Sequence, residues 1–213
     1  MAFVWFVTLL SLMTLPAWRP LLKGAQHREG RSPSARWLQL ATVADDGTPR
    51  VRTLVFRGWK DDDQLLLFSD GRSSKILDLT HQPQAELCWL FPKAKQQFRL
   101  RGVMTLTQPE DCPAFHQQCW RSMRDSGRAL WAWPKPGSPY DSSATFVEEL
   151  GEDSRPPNHF LVLALRVHRV ELLDLNHHPH RRLLWSAADQ WKECCLNPSF
   201  GDQQLEVFDL FTP

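Results

Sequence analysis

The sequence predicts a mainly β chain, a small closed β-barrel with flanking α-helices. Three observations lead there. Short runs rich in apolar and β-branched residues are separated by tight turn signals such as Asp45-Asp46-Gly47-Thr48-Pro49. Only two or three stretches read as helices, and short antiparallel strands escape exposed edges by closing on themselves. Finally, 213 residues with 42% hydrophobic side chains suffice for one sizeable core but not for two large domains.

The elements follow in order. Met1 to Trp18 is an apolar stretch without Lys or Arg before Arg19. It is shorter than the roughly 20 apolar residues of a spanning helix and lacks the basic start of a secretory signal. Residues 1–17 are therefore read as an N-terminal extension, with Met13 as the native start, and residues 18–213 as the barrel domain. Trp18 to Gln26 is followed by a polar link in which Ser34 serves as a cap or turn residue. Strands are expected at Trp37–Ala44, Arg50–Trp59 and Gln64–Ser69, then a helix at Ser73–Thr80, stopped before Pro83. Two more strands are expected at Ala85–Phe91 and Gln97–Thr107, and a long helix from Pro109 to about Trp131. The proline-rich segment from Trp133 and the segment Gly151–Pro157 read as loops. Strands at Phe160–Val167 and Arg169–Leu175 precede Leu183-Leu-Trp185 and Trp191–Pro198.

Composition removes several functions. With 25 Lys plus Arg against 24 Asp plus Glu, the net charge of +1 gives no field to gather nucleic acid or an anionic membrane. Five cysteines without a C-x-x-C spacing read as reduced thiols of a cytoplasmic protein. Dinucleotide, P-loop and nucleophile-elbow motifs are absent from the sequence. His177, His178 and His180 lack the Cys or carboxylate neighbours of a metal site, so no metal is expected.

Three cationic groups carry the chemistry that remains. The strand-to-helix turn Phe68-Ser-Asp-Gly-Arg-Ser-Ser-Lys75 offers hydroxyls, a cation and a helix N-terminus, a combination suited to phosphate. A capped surface helix, with Ser73 as cap, explains the same residues. On the preceding strand, alternation places Arg50 and Arg52 on one face and Arg57 on the other. On the long helix, Trp120, Arg124 and Arg128 recur every four residues and would share one face.

The run Arg52-Thr-Leu-Val-Phe-Arg57, the turn Phe68-Ser69…Ser74-Lys75, the pair Gln96-Gln97 and Arg182-Leu-Leu-Trp185 resemble pyridoxamine 5′-phosphate oxidase and its FMN-binding split-barrel relatives. Trp133-Pro-Lys-Pro-Gly and Trp191…Pro198 are most similar to a largely cyanobacterial branch. The resemblance implies an FMN-binding split β-barrel, a homodimer with FMN at the interface, and oxidoreductase chemistry on a small anionic or phosphorylated substrate. A non-catalytic flavin-binding or flavin-sensing protein is the alternative, and a split barrel holding a tetrapyrrole or deazaflavin is a third. By the same resemblance, Arg52, Thr53, Leu54, Val55, Phe68, Ser69, Ser74, Lys75 and Gln97 would hold FMN, with Ser138 and Arg182 supplied by the partner chain. Arg57, Trp120, Arg124, Arg128 and His180 would face the substrate. There are departures: Ser74 and Gly137 replace an arginine and a glutamine, Leu173 stands where a tryptophan covers the cofactor, and His178 replaces a substrate-side arginine.

Overall fold

A computed structural model describes residues 15–61 and 63–197. Strands β1 (Trp37–Val43), β2 (Pro49–Lys60), β3 (Gln64–Asp70), β4 (Gln84–Phe91), β5 (Gln96–Thr107), β6 (Phe160–Asp174), β7 (Arg181–Ser186) and β8 (Cys194–Leu196) form one antiparallel sheet in the order β3-β2-β1-β4-β5-β6-β7-β8. β3 also pairs with β6, from Gln64 opposite Arg166 to Asp70 opposite Phe160. Six strands thereby close into a barrel, and β7 and β8 extend it beyond β6. The expected mainly β barrel with flanking helices is the observed fold.

Burial explains which runs alternate. β4 and β5 alternate inward and outward, sending Leu87, Trp89, Phe91, Phe98 and Leu100 into the barrel. Helix α1 (Trp18–Glu29) adds Trp18, Leu22 and Ala25 to this core. The buried Glu29 carboxylate accepts from the backbone of Lys93 and Ala94 and ties α1 to the β4–β5 turn. β3 and the first half of β6 are instead covered on both faces, so Leu65-Leu-Leu-Phe and Phe160–Leu165 read as continuous apolar runs. Their outer side packs Leu66, Phe68, Phe160 and Val162 under Trp120, Met123 and Trp131. Helix α2 (Ser74–His81) follows β3, and no described helix is long and apolar enough to cross a membrane.

Two expected elements differ. The strands Phe160–Val167 and Arg169–Leu175 are one strand, because His168 is the extra residue of a bulge: Arg101 opposes Arg169 while Gly102 opposes Val167. The long helix is broken into α3 (Pro113–Arg121) and α4 (Asp125–Ala129), followed by a single 3₁₀ turn at Leu130–Ala132. Arg124 between them is extended, and the Arg128 guanidinium donates to the Trp120 and Met123 carbonyls at the end of α3, terminating it. Met13, the stretch before it and Pro198 lie outside the described residues.

The bulge leaves no room at Gly102, where a Cβ would sit 2.8 Å from the Arg166 carbonyl carbon and closer still to its oxygen. Gly102→Ala should therefore lose about 2 kcal/mol or more of stability in urea unfolding. Gly24→Ala, in α1 with open space around it, should gain roughly 0.5–1 kcal/mol.

Candidate functional site

The end of β3 and the start of α2 form one wall of a cleft of about 460 Å³, within the range of small-molecule sites. Leu54, Phe68, Ser69 and Lys75 line this side. Trp133, Ser138, Tyr140 and Phe146 come from the loop between α4 and β6 and line the other. The loop is pinned there: Arg72 Nη2 donates to the Trp133 carbonyl at 3.0 Å, and the Trp133 indole donates to Val147 at 2.8 Å. Phe146 meets both the Trp133 and Tyr140 rings. Ser138 thus lies in the cleft of its own chain.

Lys75 Nζ donates to Ser73 Oγ at 2.7 Å and Ser69 Oγ at 3.2 Å. The Ser73 hydroxyl in turn donates to the Asp70 carbonyl, so this N-cap residue does not bond the helix amides with its side chain. Burial and the Arg52 charge push the Lys75 pKa down, opposed by the smaller effects of Asp70 and Asp78. Arg52 is anchored by Asp78 at 2.8 Å and by Thr42. Asp70 is engaged by Arg72. The cleft therefore ends in a half-buried ammonium and two hydroxyls facing aromatic and proline walls. Ser74 is exposed, and Thr53 points out of the barrel.

Arg57 occupies the irregular step of β2 between Phe56 and Gly58, against the Phe68 ring that lines the cleft, 5.2 Å from its centroid. Its Nε is shielded from solvent with no hydrogen-bond partner, and no described carboxylate pairs with it. Burial lowers its pKa, and the charge of Arg36 adds to this. Arg36 escaped the sequence reading because it lies before β1, and only the pairing of Phe56 N with its carbonyl at 2.7 Å brings it to Arg57.

The shared helix face is not observed. Trp120 is fully buried, with its indole on Ser154 at 3.0 Å. Arg128 is also buried, its guanidinium committed to Leu150, Trp120, Met123 and Asp125. Only Arg124 of the three is exposed. The physical reason is the break after α3, which turns Arg128 back on the helix end.

Gln97, Leu173 and Arg182 are cross-strand neighbours in one row over β5, β6 and β7. Ser69 opposes Leu161 at the start of β6, while Gln97 and Arg182 oppose Leu173 near its end. About twelve residues of strand, on the order of 40 Å along the chain, separate the two groups. His180 is exposed beyond this row, its ring on the His177 carbonyl at 3.1 Å. Glu171, also missed from the sequence, bonds Arg182 and Arg99.

Residues 15–108 match the model of the pyridoxamine 5′-phosphate oxidase FMN-binding domain. The chain is 31% identical to pyridoxine/pyridoxamine 5′-phosphate oxidase 2 of Arabidopsis thaliana, over 80% of this chain and 88% of that one. This chain belongs to the pyridoxamine 5′-phosphate oxidase-like family of FMN-binding proteins. A crystal structure of an FMN-binding relative from Nostoc punctiforme superposes with a TM-score of 0.80 at 36% identity, covering 87% of this chain and all of that one. PhzG of Burkholderia lata, 19% identical with a TM-score of 0.69, shares the fold over 84% of this chain and 89% of its own. The barrel is thus the FMN-binding split barrel, and FMN is its cofactor. The cleft suits that group: a terminal phosphate matches the Lys75 end, and a flat ring needs the apolar walls.

Asp78 provides a pH test. Burial raises its pKa, but bonds from Thr42 and Arg52 outweigh this and hold it below the ordinary carboxylate value. The stabilisation it provides is present above the unfolded pKa, about 3.9, and is lost as pH falls through the lower folded value. In urea titrations the parent should lose stability below about pH 4. Asp78→Asn should be less stable at neutral pH, with a flatter acid dependence.

Proposed function

We propose that this protein is an FMN-dependent oxidoreductase acting on a small anionic substrate, assembled as a homodimer that shares its flavin sites. Arg57 carries the substrate half of this reading. The Lys75 cradle would meet one phosphate, whereas Arg57 beside Phe68 is a second, half-buried guanidinium whose Nε has no partner among the described residues. A second cation beside the cleft supports substrate binding over flavin carriage alone. Arg36 reinforces its charge, while Arg128 is spent on the fold.

FMN supplies hydride acceptance at its ring when bound. The protein's own part is positional. Arg52, the Thr53–Val55 backbone, Phe68, Ser69, Ser74 and Lys75 hold the ribityl phosphate and ring, and Ser138 closes the cleft. Arg57 fixes the substrate's anionic end. His180 and the neighbouring His178 stand where the oxidase has a histidine and an arginine, so pyridoxamine phosphate should turn over weakly or not at all. Five unpaired cysteines are consistent with a reducing, cytoplasmic setting.

The twelve-residue spacing along β6 supports the dimer, in which Lys75 and Arg182 of one chain would serve different flavins. The outward sheet face also exposes Trp37, Val51, Leu90 and Val103, which suits a second copy. Sedimentation should give twice the chain mass, and Leu90→Arg should yield monomers with weakened FMN. A wild-type monomer with full FMN affinity would remove the shared site.

Two variants separate oxidoreductase from flavin carrier. Lys75→Ala should weaken FMN by roughly 1.5–3 kcal/mol and riboflavin much less, read by flavin fluorescence. Arg57→Ala should keep FMN but lose about tenfold or more in donor affinity. The readout is anaerobic flavin bleaching against phosphorylated and carboxylated amines and alcohols. Bleaching by no donor, or equal bleaching in parent and Arg57→Ala, favours the flavin-binding protein without turnover.

A further inference from the structure

We propose that Glu171 is the positioning residue for Arg182, fixing the guanidinium that meets the partner's flavin. The inference rests on the shared-site reading above, in which Arg182 reaches FMN. Glu171 and Leu173 lie on the same face of β6, and Leu173 faces Arg182 directly. Glu171 is thus diagonal to Arg182, and its Oε1 accepts from Arg182 Nε at 2.7 Å. Its Oε2 meets Arg99 Nη2. Arg99 lies 3.7 Å from Glu86, which also holds Arg101 at 2.8 Å. The carboxylate is therefore gripped from both sides, by Arg182 on β7 and Arg99 on β5.

Three features distinguish Glu171 from an ordinary surface partner. Its side chain is only 13% exposed, whereas Arg99 and Arg182 are each more than a third exposed. A carboxylate so enclosed keeps a defined orientation, which exposed pairs do not. It also engages Arg182 through Nε, and a planar guanidinium held there has the plane of its two Nη groups fixed. Finally, Leu173, directly opposite Arg182, is apolar, and the diagonal Glu171 is the β6 side chain that bonds the guanidinium. Burial raises the Glu171 pKa, but the bonds from Arg182 and Arg99 outweigh this and keep it ionised.

The test is FMN titration of the apoprotein, followed by the visible circular dichroism of bound flavin, for the parent, Glu171→Gln, Arg182→Ala and the double variant. Arg182→Ala should weaken FMN at least tenfold, and Glu171→Gln roughly tenfold with an altered flavin dichroism. The double variant should be no weaker than Arg182→Ala, since the carboxylate acts only through the guanidinium. An Arg182→Ala protein with parental FMN affinity removes the shared-site reading itself. A weakened Arg182→Ala beside a parental Glu171→Gln overturns the positioning role, as do losses that add in the double variant. Should Glu171→Gln not fold, Glu171→Asp keeps the charge with a shorter reach. It should fold with severalfold weaker FMN and altered dichroism, and parental values for both would again overturn the role.

Discussion

The pairing of β3 with the first half of β6 closes the barrel, and the site geometry depends on it. Because β6 is occupied on both edges and both faces there, its residues are uniformly apolar, and Phe160 becomes the meeting point of Phe68, Trp120 and Trp131. Because β6 continues past the barrel, its second half carries β7 and presents a different set of side chains. One strand thus sets the spacing between the Lys75 cleft and the Arg182 row. The His168 bulge lets it serve both roles, re-phasing the strand midway.

Burial sorts arginines that look alike in sequence. Arg128 is buried with every direction of its guanidinium met by carbonyls or Asp125, and so becomes a helix cap. Arg52 is tied to α2 through Asp78 and acts as a fixed positive background for Lys75. Among the described residues, Arg57 alone of these three has a buried Nε without an acceptor, and burial without one is costly unless an anion arrives. The difference lies in what the folded chain puts within reach of each, which composition cannot convey.

Much of the architecture was legible because strand periodicity and turn chemistry are local. The hairpin at Asp45–Pro49, the helix after Ser73 and the strands that flank them all follow from neighbouring residues. The errors arose where distant residues decide. A four-residue repeat at Trp120, Arg124 and Arg128 reads as a helix face, although Ser122 and Gly127 are turn-formers and Arg128 folds back to end the helix. His168 reads as a gap between strands when only its partner on β5 identifies a bulge. Arg36 and Glu171 gave no signal, because their importance comes from cross-strand neighbours many residues away. The Lys75 turn was readable as an anion site or a cap, and the Ser73 hydroxyl decides against simple capping by turning to Lys75 and the Asp70 carbonyl.

The half-buried ammonium beside Arg52 ties the stability of the folded chain to its cofactor. The Arg52 charge disfavours that ammonium, and whatever FMN adds on binding is added to the folded form alone. The fraction of chains that survive quality control then rises with free flavin. On this account the cofactor would steady the chain that holds it as well as supply its chemistry.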